Sequence, residues 1–257
     1  MHEVIILSIV QGISEFLPIS STAHLILVSK IFNFKNSSLT LDLSLHLGSL
    51  LAIITYFKKD IINFVKNKNL FLKILISSFP TMIIGYFLVY FSLIEYLRNY
   101  KLIGWTTIIF GILIYISDLK QKNKSIKNNY TFKTAIYIGF FQILSLIPGV
   151  SRSGITLTGA RFLDFNRIDS AKISFLMSIP ILGAVSIFNL KNLVVGNNLE
   201  FSFLNLIGII CSFLFSYLTI KFFLIFLKKF SLVYFFIYRF FLGILILYYS
   251  YSLQNQS

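Results

Sequence analysis

Long apolar stretches separated by short polar ones run along the whole chain. A helix that crosses a bilayer needs about 20 mostly apolar residues. The pattern therefore predicts spanning helices at about 43–57, 74–92, 102–119, 134–147, 172–190, 201–227 and 231–250. It indicates an all-α polytopic membrane protein that forms a single integral membrane domain, residues 1–257, with approximate halves 1–130 and 131–257.

Two apolar segments, 1–29 and 134–171, are each interrupted within a polar stretch by a proline, Pro18 in the first and Pro148 in the second. Proline removes a backbone donor and clashes with the preceding turn, so each segment is expected to break. Inside a bilayer a broken helix is stable only where protein or a water-filled cavity satisfies the freed backbone groups. Both segments also have a glutamine, then the proline, then a serine-rich run. We therefore expect two inverted-topology repeats with broken or re-entrant helices that meet at a central polar cavity.

Composition agrees with a membrane protein, because 56% of the residues are hydrophobic and 12% are charged, against roughly 25% charged in soluble domains. Much of the formal net charge of +14 comes from lysines in the segments 57–73 and 118–133. Under the positive-inside rule these segments lie on the cytoplasmic side beside anionic membrane lipids, so no nucleic-acid partner is expected. The turn near Ser37-Ser38 then lies on the outer side.

The first interrupted segment carries a polar cluster of the kind that a membrane interior retains for function. Gln11 and Glu15 are four residues apart, and Ser20 and Ser21 precede His24 by four and three residues, so each set shares one helix face. The side-chain oxygens of Gln11 and Glu15 are suitable ligands for a hard divalent cation, Mg²⁺ or Ca²⁺. The cluster is predicted to converge if the helix breaks at the proline between its two parts.

The second segment places Ser151, Arg152 and Ser153 shortly after Pro148-Gly149, with Thr156 one turn further on. A half-helix that starts there presents unpaired backbone donors and a positive dipole end to an anion such as phosphate. The planar fork of an arginine suits phosphate oxygens.

The two clusters together supply what phosphoryl transfer needs, which is positioned positive charge, a nucleophile and a proton carrier. The nucleophile could be the hydroxyl of Ser21, the imidazole of His24, or a water that His24 activates.

Other polar residues have simpler expected roles. Hydroxyls in membrane helices usually bond to the backbone or to a neighbouring helix, and we expect this of Ser14, Ser145 and Thr158. His46 either lines the cavity or satisfies Asp42 one turn away. Arg239 is expected to pair with an acid or to extend toward the headgroups. Three further cations are expected at the membrane interface: Arg161, Arg167 and Lys172.

The stretches Gln11–His24 and Pro148–Thr156 resemble the two long motifs of the bacterial undecaprenyl-diphosphatase family, often called UppP or BacA. Asp42–Gly48, Phe175–Gly183 and Tyr238-Arg239-Phe240 are similar to further features of that family. The resemblance implies an inner-membrane enzyme that removes the terminal phosphate of undecaprenyl diphosphate. It also implies recycling of the lipid carrier for cell-wall synthesis, bacitracin resistance, a divalent cation, an inverted-repeat fold that often dimerises, and a site toward the outer face.

Carried over by position, the resemblance assigns catalytic roles to Glu15, Ser21, His24 and Arg152. It assigns substrate binding to Ser20, Ser151, Ser153 and Thr156, and a metal site to Gln11 and Glu15. Gln11 stands where many relatives have Glu, which removes one charge from the metal site. A polyprenyl-phosphate flippase or transporter that uses the same anion-binding cavity is the alternative function, because broken helices near the midplane are also typical of carriers.

Overall fold

The computed structural model describes residues 1–32, 34, 39–66, 68–97, 99–195 and 202–254. Over these ranges the chain is α-helical, with one short 3-10 helix at Leu144–Leu146. The helices are α1 (His2–Ser14), α2 (Ser21–Ile31), α3 (Leu39–Tyr56), α4 (Lys58–Lys66), α5 (Lys68–Tyr90), α6 (Leu93–Leu97), α7 (Tyr100–Asp118), α8 (Ile126–Asn129), α9 (Phe132–Ile143), α10 (Arg152–Phe162), α11 (Arg167–Val195), α12 (Phe203–Lys229) and α13 (Val233–Gln254). The predicted turn at Ser37-Ser38 lies outside the described residues.

Within the described part of the chain, five helices are long and apolar enough to cross a membrane: Lys68–Tyr90, Tyr100–Asp118, Arg167–Asn192, Phe203–Lys229 and Val233–Ser252. Shorter apolar helices occupy His2–Ser14, Thr40–Tyr56 and Phe132–Leu146. The predicted all-α multi-pass membrane protein is confirmed. One difference concerns the lysine-rich segment 57–73, which is largely helical rather than a simple loop, because it contains α4 and the start of α5.

Both predicted helix breaks are present. Residues 15–20, which include Pro18, separate α1 from α2, and residues 147–151, which include Pro148, separate the 3-10 helix from α10. Two other prolines, Pro80 in α5 and Pro180 in α11, lie inside continuous helices. Proline alone therefore does not decide where this chain breaks; the breaks occur where it stands in a polar, serine-rich stretch.

The two broken segments enter the helical bundle from opposite ends. Val4 of α1, Leu25 and Val28 of α2 and Leu41 of α3 pack together, so the open end of the α1–α2 hairpin lies at what we name the N-terminal face. The open end of the α9–α10 hairpin lies at the other end, the lysine-rich face, where the ends of α7 and α10 meet the start of α11 and the α12–α13 junction. The tips of both hairpins lie between these faces.

Helix contacts in one half have counterparts in the other. In the first half α1 and α3 pack on α12 of the second half, and in the second half α9 and α11 pack on α5 of the first half. The central contacts are α3 with α11 and α7 with α13. This pattern is what two inverted repeats would produce, although the repeats and the central polar cavity stay predictions.

An aromatic core lies beside the first break. Phe16 packs edge-on against Phe175 of α11 with ring centroids 5.5 Å apart, and Phe175 contacts Phe223 of α12 at 5.9 Å. All three rings are buried. Aromatic pairs of this geometry add to the stability that burial alone provides. These ring contacts fix the position of Phe16 and thereby that of Glu15, which precedes it.

Candidate active site

The two hairpin tips meet through an ion pair between residues 137 positions apart. Arg152 Nη2 lies 2.9 Å from Glu15 Oε1, and the two side chains are 11% and 9% exposed. Ser153 Oγ also donates to the Leu17 carbonyl at 2.7 Å. A buried ion pair is costly to break because either charge alone is left without a partner. The two polar clusters therefore meet at the hairpin tips, and their meeting depends on these contacts.

The second carboxylate oxygen of Glu15 accepts hydrogen bonds from two other residues of the first cluster. Gln11 Nε2 donates to Glu15 Oε2 at 3.1 Å, and Ser21 Oγ donates to the same atom at 3.1 Å. The glutamine contact follows from the four-residue spacing, whereas the serine contact crosses the break between α1 and α2. A carboxylate beside a hydroxyl can act as its proton acceptor. The structure therefore brings Gln11, Glu15, Ser21 and Arg152 into one hydrogen-bonded group.

His24 is held by other partners. Its Nδ1 lies 2.7 Å from the Ser20 carbonyl, and its Nε2 lies 2.5 Å from the Tyr238 hydroxyl of α13. The two rings are stacked, with centroids 5.6 Å apart and planes 7° from parallel. The Tyr238-Arg239 pair is the sequence signal that could have identified this partner of His24.

A strained serine precedes each half-helix. Ser20 has φ +73° and Ser151 has φ +72°, although neither is a glycine. Ser151 caps α10 because its Oγ accepts from the Gly154 amide at 3.2 Å. Residues held in this region cost about 1–3 kcal/mol each and are concentrated at functional sites. The matching geometry orients the first turns of α2 and α10 toward the meeting point of the tips.

Thr156 lies on the face of α10 that packs against α11. Its Oγ1 donates to the Arg152 carbonyl at 2.8 Å and lies 2.6 Å from Ser174 Oγ, and the side chain is fully buried. The Ser174 carbonyl also accepts from Arg152 Nη1 at 3.3 Å. Ser174 was missed by sequence reasoning, since nothing in its local pattern distinguishes it from other helix serines. The substrate-binding roles of Ser20, Ser151, Ser153 and Thr156 stay predictions.

Arg239 joins both breaks. Its guanidinium is fully buried and donates to the carbonyls of Thr107 at 3.1 Å, Pro18 at 3.3 Å, Val150 at 3.0 Å and Gly149 at 2.8 Å. The expectation that it pairs with an acid or reaches the headgroups is wrong for the described part of the chain. Each break frees carbonyls from the helical ladder, and a buried arginine satisfies several of them at once.

The remaining expectations have mixed outcomes. Arg161 is buried at the lysine-rich face, and its Nη2 lies 2.8 Å from Asp118, which also binds Arg167, so the interfacial position of these arginines stays a prediction. Lys172 pairs with Asp60 at 2.6 Å. His46 Nδ1 lies 2.8 Å from the Asp42 carbonyl, so the contact is to backbone one turn earlier. The expected backbone bonds are confirmed for two hydroxyls, Ser14 to Val10 and Thr158 to Gly154.

Comparison with known proteins decides the family. The sequence profile of the family described as bacitracin resistance protein BacA matches residues 4–245. The chain belongs to this family. It is 53% identical over 245 residues to an undecaprenyl-diphosphatase of Pelagibacter ubique (strain HTCC1062), with 95% of each chain covered. It is 42% identical over 261 residues to an undecaprenyl-diphosphatase of Campylobacter concisus (strain 13826), with 96% of this chain and 98% of the relative covered.

A third relative supports the same placement in the BacA family. The undecaprenyl-diphosphatase of Saccharophagus degradans (strain 2-40) is 37% identical over 251 residues, and the match covers 93% of this chain and 94% of the relative. The family match over residues 4–245 includes both breaks, the ion pair between them and the α13 residues that contact each tip.

The charges at the tips of this BacA family member favour an anionic ligand. Arg152 and Arg239 bring two positive charges to the breaks, and Glu15 brings one negative charge. A guanidinium that is neutralised only by carbonyl dipoles stays a source of positive potential in a low-dielectric region. With a neutral imidazole, these three side chains carry one net positive charge, which a phosphate group would compensate.

The same residues include oxygen atoms of the kind that bind a divalent cation. Both oxygens of Glu15 already accept hydrogen bonds, while Gln11 Oε1 is buried without a hydrogen-bond partner. In the described ranges no three histidine, cysteine or acidic residues are grouped closely enough to hold a metal. The protein thus offers one carboxylate and one amide oxygen. That set fits Mg²⁺, which takes one or two protein ligands together with substrate phosphates and water.

An apolar groove of about 440 Å³ begins beside the first tip. Ile13 and Leu17 form its inner end, and its other walls come from α12 and the start of α13. These walls are Phe215, Leu218, Thr219, Phe222, Phe223, Phe226 and Phe235. Since α12 ends and α13 begins at the lysine-rich face, the groove extends from the tip toward that face. Its shape and composition suit a hydrocarbon chain.

Proposed function

We propose that this chain is an undecaprenyl-diphosphatase, which converts undecaprenyl diphosphate to undecaprenyl phosphate and inorganic phosphate. The observation that carries the proposal is the group formed by Arg152, Glu15 and Ser21 in a chain 53% identical to a relative of that name. The reaction regenerates a lipid carrier for cell-wall synthesis, and an abundant enzyme would confer bacitracin resistance.

Substrate binding begins with a change of partner at Arg152. In the structure its Nη2 donates to the Glu15 carboxylate and its Nη1 to the Ser174 carbonyl, and two oxygens of a phosphate would accept from the same planar fork. The amides of Arg152 and Ser153 begin α10 and have no carbonyl of a preceding helical turn to bind, so they are available to the phosphate. Transfer of Arg152 to the phosphate releases Glu15 from its counter-ion and makes the carboxylate a stronger proton acceptor.

Ser21 is the nucleophile that the contacts support. Neither nitrogen of His24 is free, since one faces the Ser20 carbonyl and the other the Tyr238 hydroxyl, whereas Ser21 already donates to Glu15. In the first step Ser21 Oγ forms a bond to the terminal phosphorus, its proton passes to Glu15, and the bond to the bridging oxygen breaks. Undecaprenyl phosphate leaves with that oxygen. Water then displaces Ser21 from phosphorus, and Glu15 returns the proton to Ser21 Oγ.

Gln11 and Glu15 would hold a divalent cation, Mg²⁺ or Ca²⁺, which when bound supplies positive charge to the diphosphate oxygens. The orphaned Gln11 Oε1 supports this assignment, and the neutral amide makes binding weaker than a second carboxylate would. We expect Gln11→Glu to lower the Mg²⁺ concentration that gives half-maximal activity. A titration of EDTA-treated enzyme with Mg²⁺ or Ca²⁺ measures this, and an unchanged midpoint would contradict the metal assignment.

The apolar groove would take part of the prenyl chain, because it starts at Leu17 beside the reacting group and is lined by aromatic rings. The lysine-rich face is the cytoplasmic one under the positive-inside rule, so the α1–α2 hairpin opens to the outer face of the inner membrane. The partly exposed Ser21 and His24 and the exposed Thr22 lie on that hairpin. A homodimer stays a prediction.

Phosphate release from undecaprenyl diphosphate by the protein purified in detergent tests the function. We expect release that depends on Mg²⁺ or Ca²⁺ and that is strongly reduced in Arg152→Ala and in His24→Ala. A folded wild-type protein that binds the lipid without releasing phosphate would overturn the enzymatic function. That outcome would favour the alternative, a polyprenyl-phosphate flippase or transporter.

A further inference from the structure

Tyr238 is a site residue to which neither the sequence motifs nor the reaction steps above give a role. It lies on α13, and the break at residues 15–20 brings His24 against it although the two residues are 214 positions apart. The contact combines a hydrogen bond of 2.5 Å with stacking of the two rings. One contact restrains the ring nitrogen and the other restrains the ring plane, so together they determine the orientation of the imidazole.

The partners of His24 determine its tautomer. A carbonyl oxygen only accepts, so the Nδ1 that faces the Ser20 carbonyl at 2.7 Å carries a proton. In the neutral ring Nε2 is then the unprotonated nitrogen, and it accepts from the Tyr238 hydroxyl. Ser20 is itself held at φ +73°, which fixes the direction of its carbonyl. The ring is therefore restrained at both nitrogens.

Arg239, the next residue of α13, links the contact between Tyr238 and His24 to both helix breaks. It donates to Pro18 in the first break and to Gly149 and Val150 in the second. The position of Tyr238 along α13 is thereby tied to both tips. The hydroxyl reaches His24 only when the two breaks are in their observed places, and a displaced α13 would release both contacts.

We propose that Tyr238 is a positioning residue that acts through His24. Its hydroxyl holds the imidazole in the Nδ1–H tautomer and keeps the ring in a fixed orientation on α2, one helical turn from Ser21. The proposal rests on the diphosphatase function for its kinetic consequence only, because the tautomer can be measured without substrate. Removing the hydrogen-bond partner of a metal-bound histidine commonly costs about 10- to 100-fold in metal affinity or activity, and we expect a loss of the same order for His24.

The test begins with Tyr238→Phe, which keeps the stacked ring and removes the hydroxyl. We expect kcat to fall about 10- to 100-fold with KM little changed, because the hydroxyl positions a group and does not bind the lipid. Tyr248→Phe is the matched control, since Tyr248 is a strongly exposed tyrosine on the same helix. It should keep wild-type kinetics.

A double variant separates positioning from a general structural effect. If Tyr238 acts through His24, Tyr238→Phe should cause no further loss in a His24→Ala background. Equal losses in the wild-type and His24→Ala backgrounds would overturn the proposal, as would wild-type kcat in Tyr238→Phe.

The tautomer supplies a readout that is independent of activity. The chain has three histidines, so the nitrogen NMR signals of isotope-labelled His24 can be identified by their loss in His24→Ala. At a pH where the ring is neutral, wild-type protein should show the Nδ1–H tautomer, and Tyr238→Phe should shift the Nε2 signal. An identical spectrum in Tyr238→Phe would overturn the proposal even where the residual activity of His24→Ala is too low to measure. An inactive wild-type protein would instead refute the proposed function, and the spectrum would still test Tyr238.

Discussion

Replacement of Arg152 by alanine separates the chemistry of the site from its stability. The side chain lies 2.9 Å from Glu15 and is the guanidinium placed to take a phosphate oxygen. Loss of one preorganised electrostatic donor costs about 10²–10³ in kcat, or roughly 2.7–4 kcal/mol. The change also leaves the Glu15 carboxylate without its counter-ion, which for a buried pair costs on the order of 3–5 kcal/mol of stability. Both effects are expected in Arg152→Ala.

The assay is phosphate release per folded molecule, with the folded fraction obtained from a thermal or denaturant transition. Arg161→Ala is the matched control, because Arg161 lies on the same helix and is also paired with a buried acid, Asp118. The two arginines are about 14 Å apart along the helix axis at 1.5 Å per residue. Arg161→Ala should lose stability and keep its kcat.

A second variant shows whether the lost stability comes from the unpaired carboxylate. Arg152→Ala combined with Glu15→Gln should recover stability, because the unpaired buried charge is gone, and should remain inactive, because both the phosphate ligand and the proton acceptor are absent. Activity of Arg152→Ala within about threefold of wild type, after correction for the folded fraction, would refute the role of Arg152 in the transition state.

Three further changes test other parts of the site. Ser21→Ala should lower kcat on the order of 10³-fold or more if Ser21 attacks phosphorus. Thr22→Ala, a change at an exposed neighbouring residue, should leave kcat unchanged. A loss of only about tenfold in Ser21→Ala would indicate that water is the nucleophile. Gly149→Ala should lower the midpoint temperature of unfolding, because φ at this residue is +89° and the new Cβ would lie 2.2 Å from Thr106 Oγ1. An unchanged midpoint temperature would contradict this geometry. Arg239→Met should lower the free energy of unfolding by about 3 kcal/mol or more, because four carbonyls lose the guanidinium that donates to them. A denaturation midpoint equal to that of the wild type would show that these carbonyls find other partners.

The motif residues were the most predictable part of the site. Gln11 reaches Glu15 because a four-residue spacing places both on one helix face, and the serine-rich stretches after Pro18 and Pro148 do break their helices. These features depend on local backbone geometry and on the cost of polar groups in a bilayer, both of which can be read from neighbouring residues. The spanning helices were predictable for the same reason, since their length and apolar composition are local properties.

Contacts between distant segments were less predictable. Nothing local to Arg239 shows that its partners are carbonyls of residues 18, 107, 149 and 150, and its expected acid partner or headgroup contact was wrong. Nothing local to Arg161 shows that it is buried in an ion pair with Asp118. A buried charge is stabilised by whatever the fold places beside it, and that choice involves residues far away in sequence.

The sequence by itself determined the membrane class, the broken helices and the residue types that carry the chemistry, because hydropathy and proline sterics act locally. Only the tertiary structure decided that the two hairpins enter from opposite faces, that Ser21 lies against Glu15, and that Tyr238 holds His24. Each of these depends on the packing of helices from different parts of the chain. Packing fixes distances to tenths of an ångström, whereas the pattern of residue types along the chain fixes only which faces are buried.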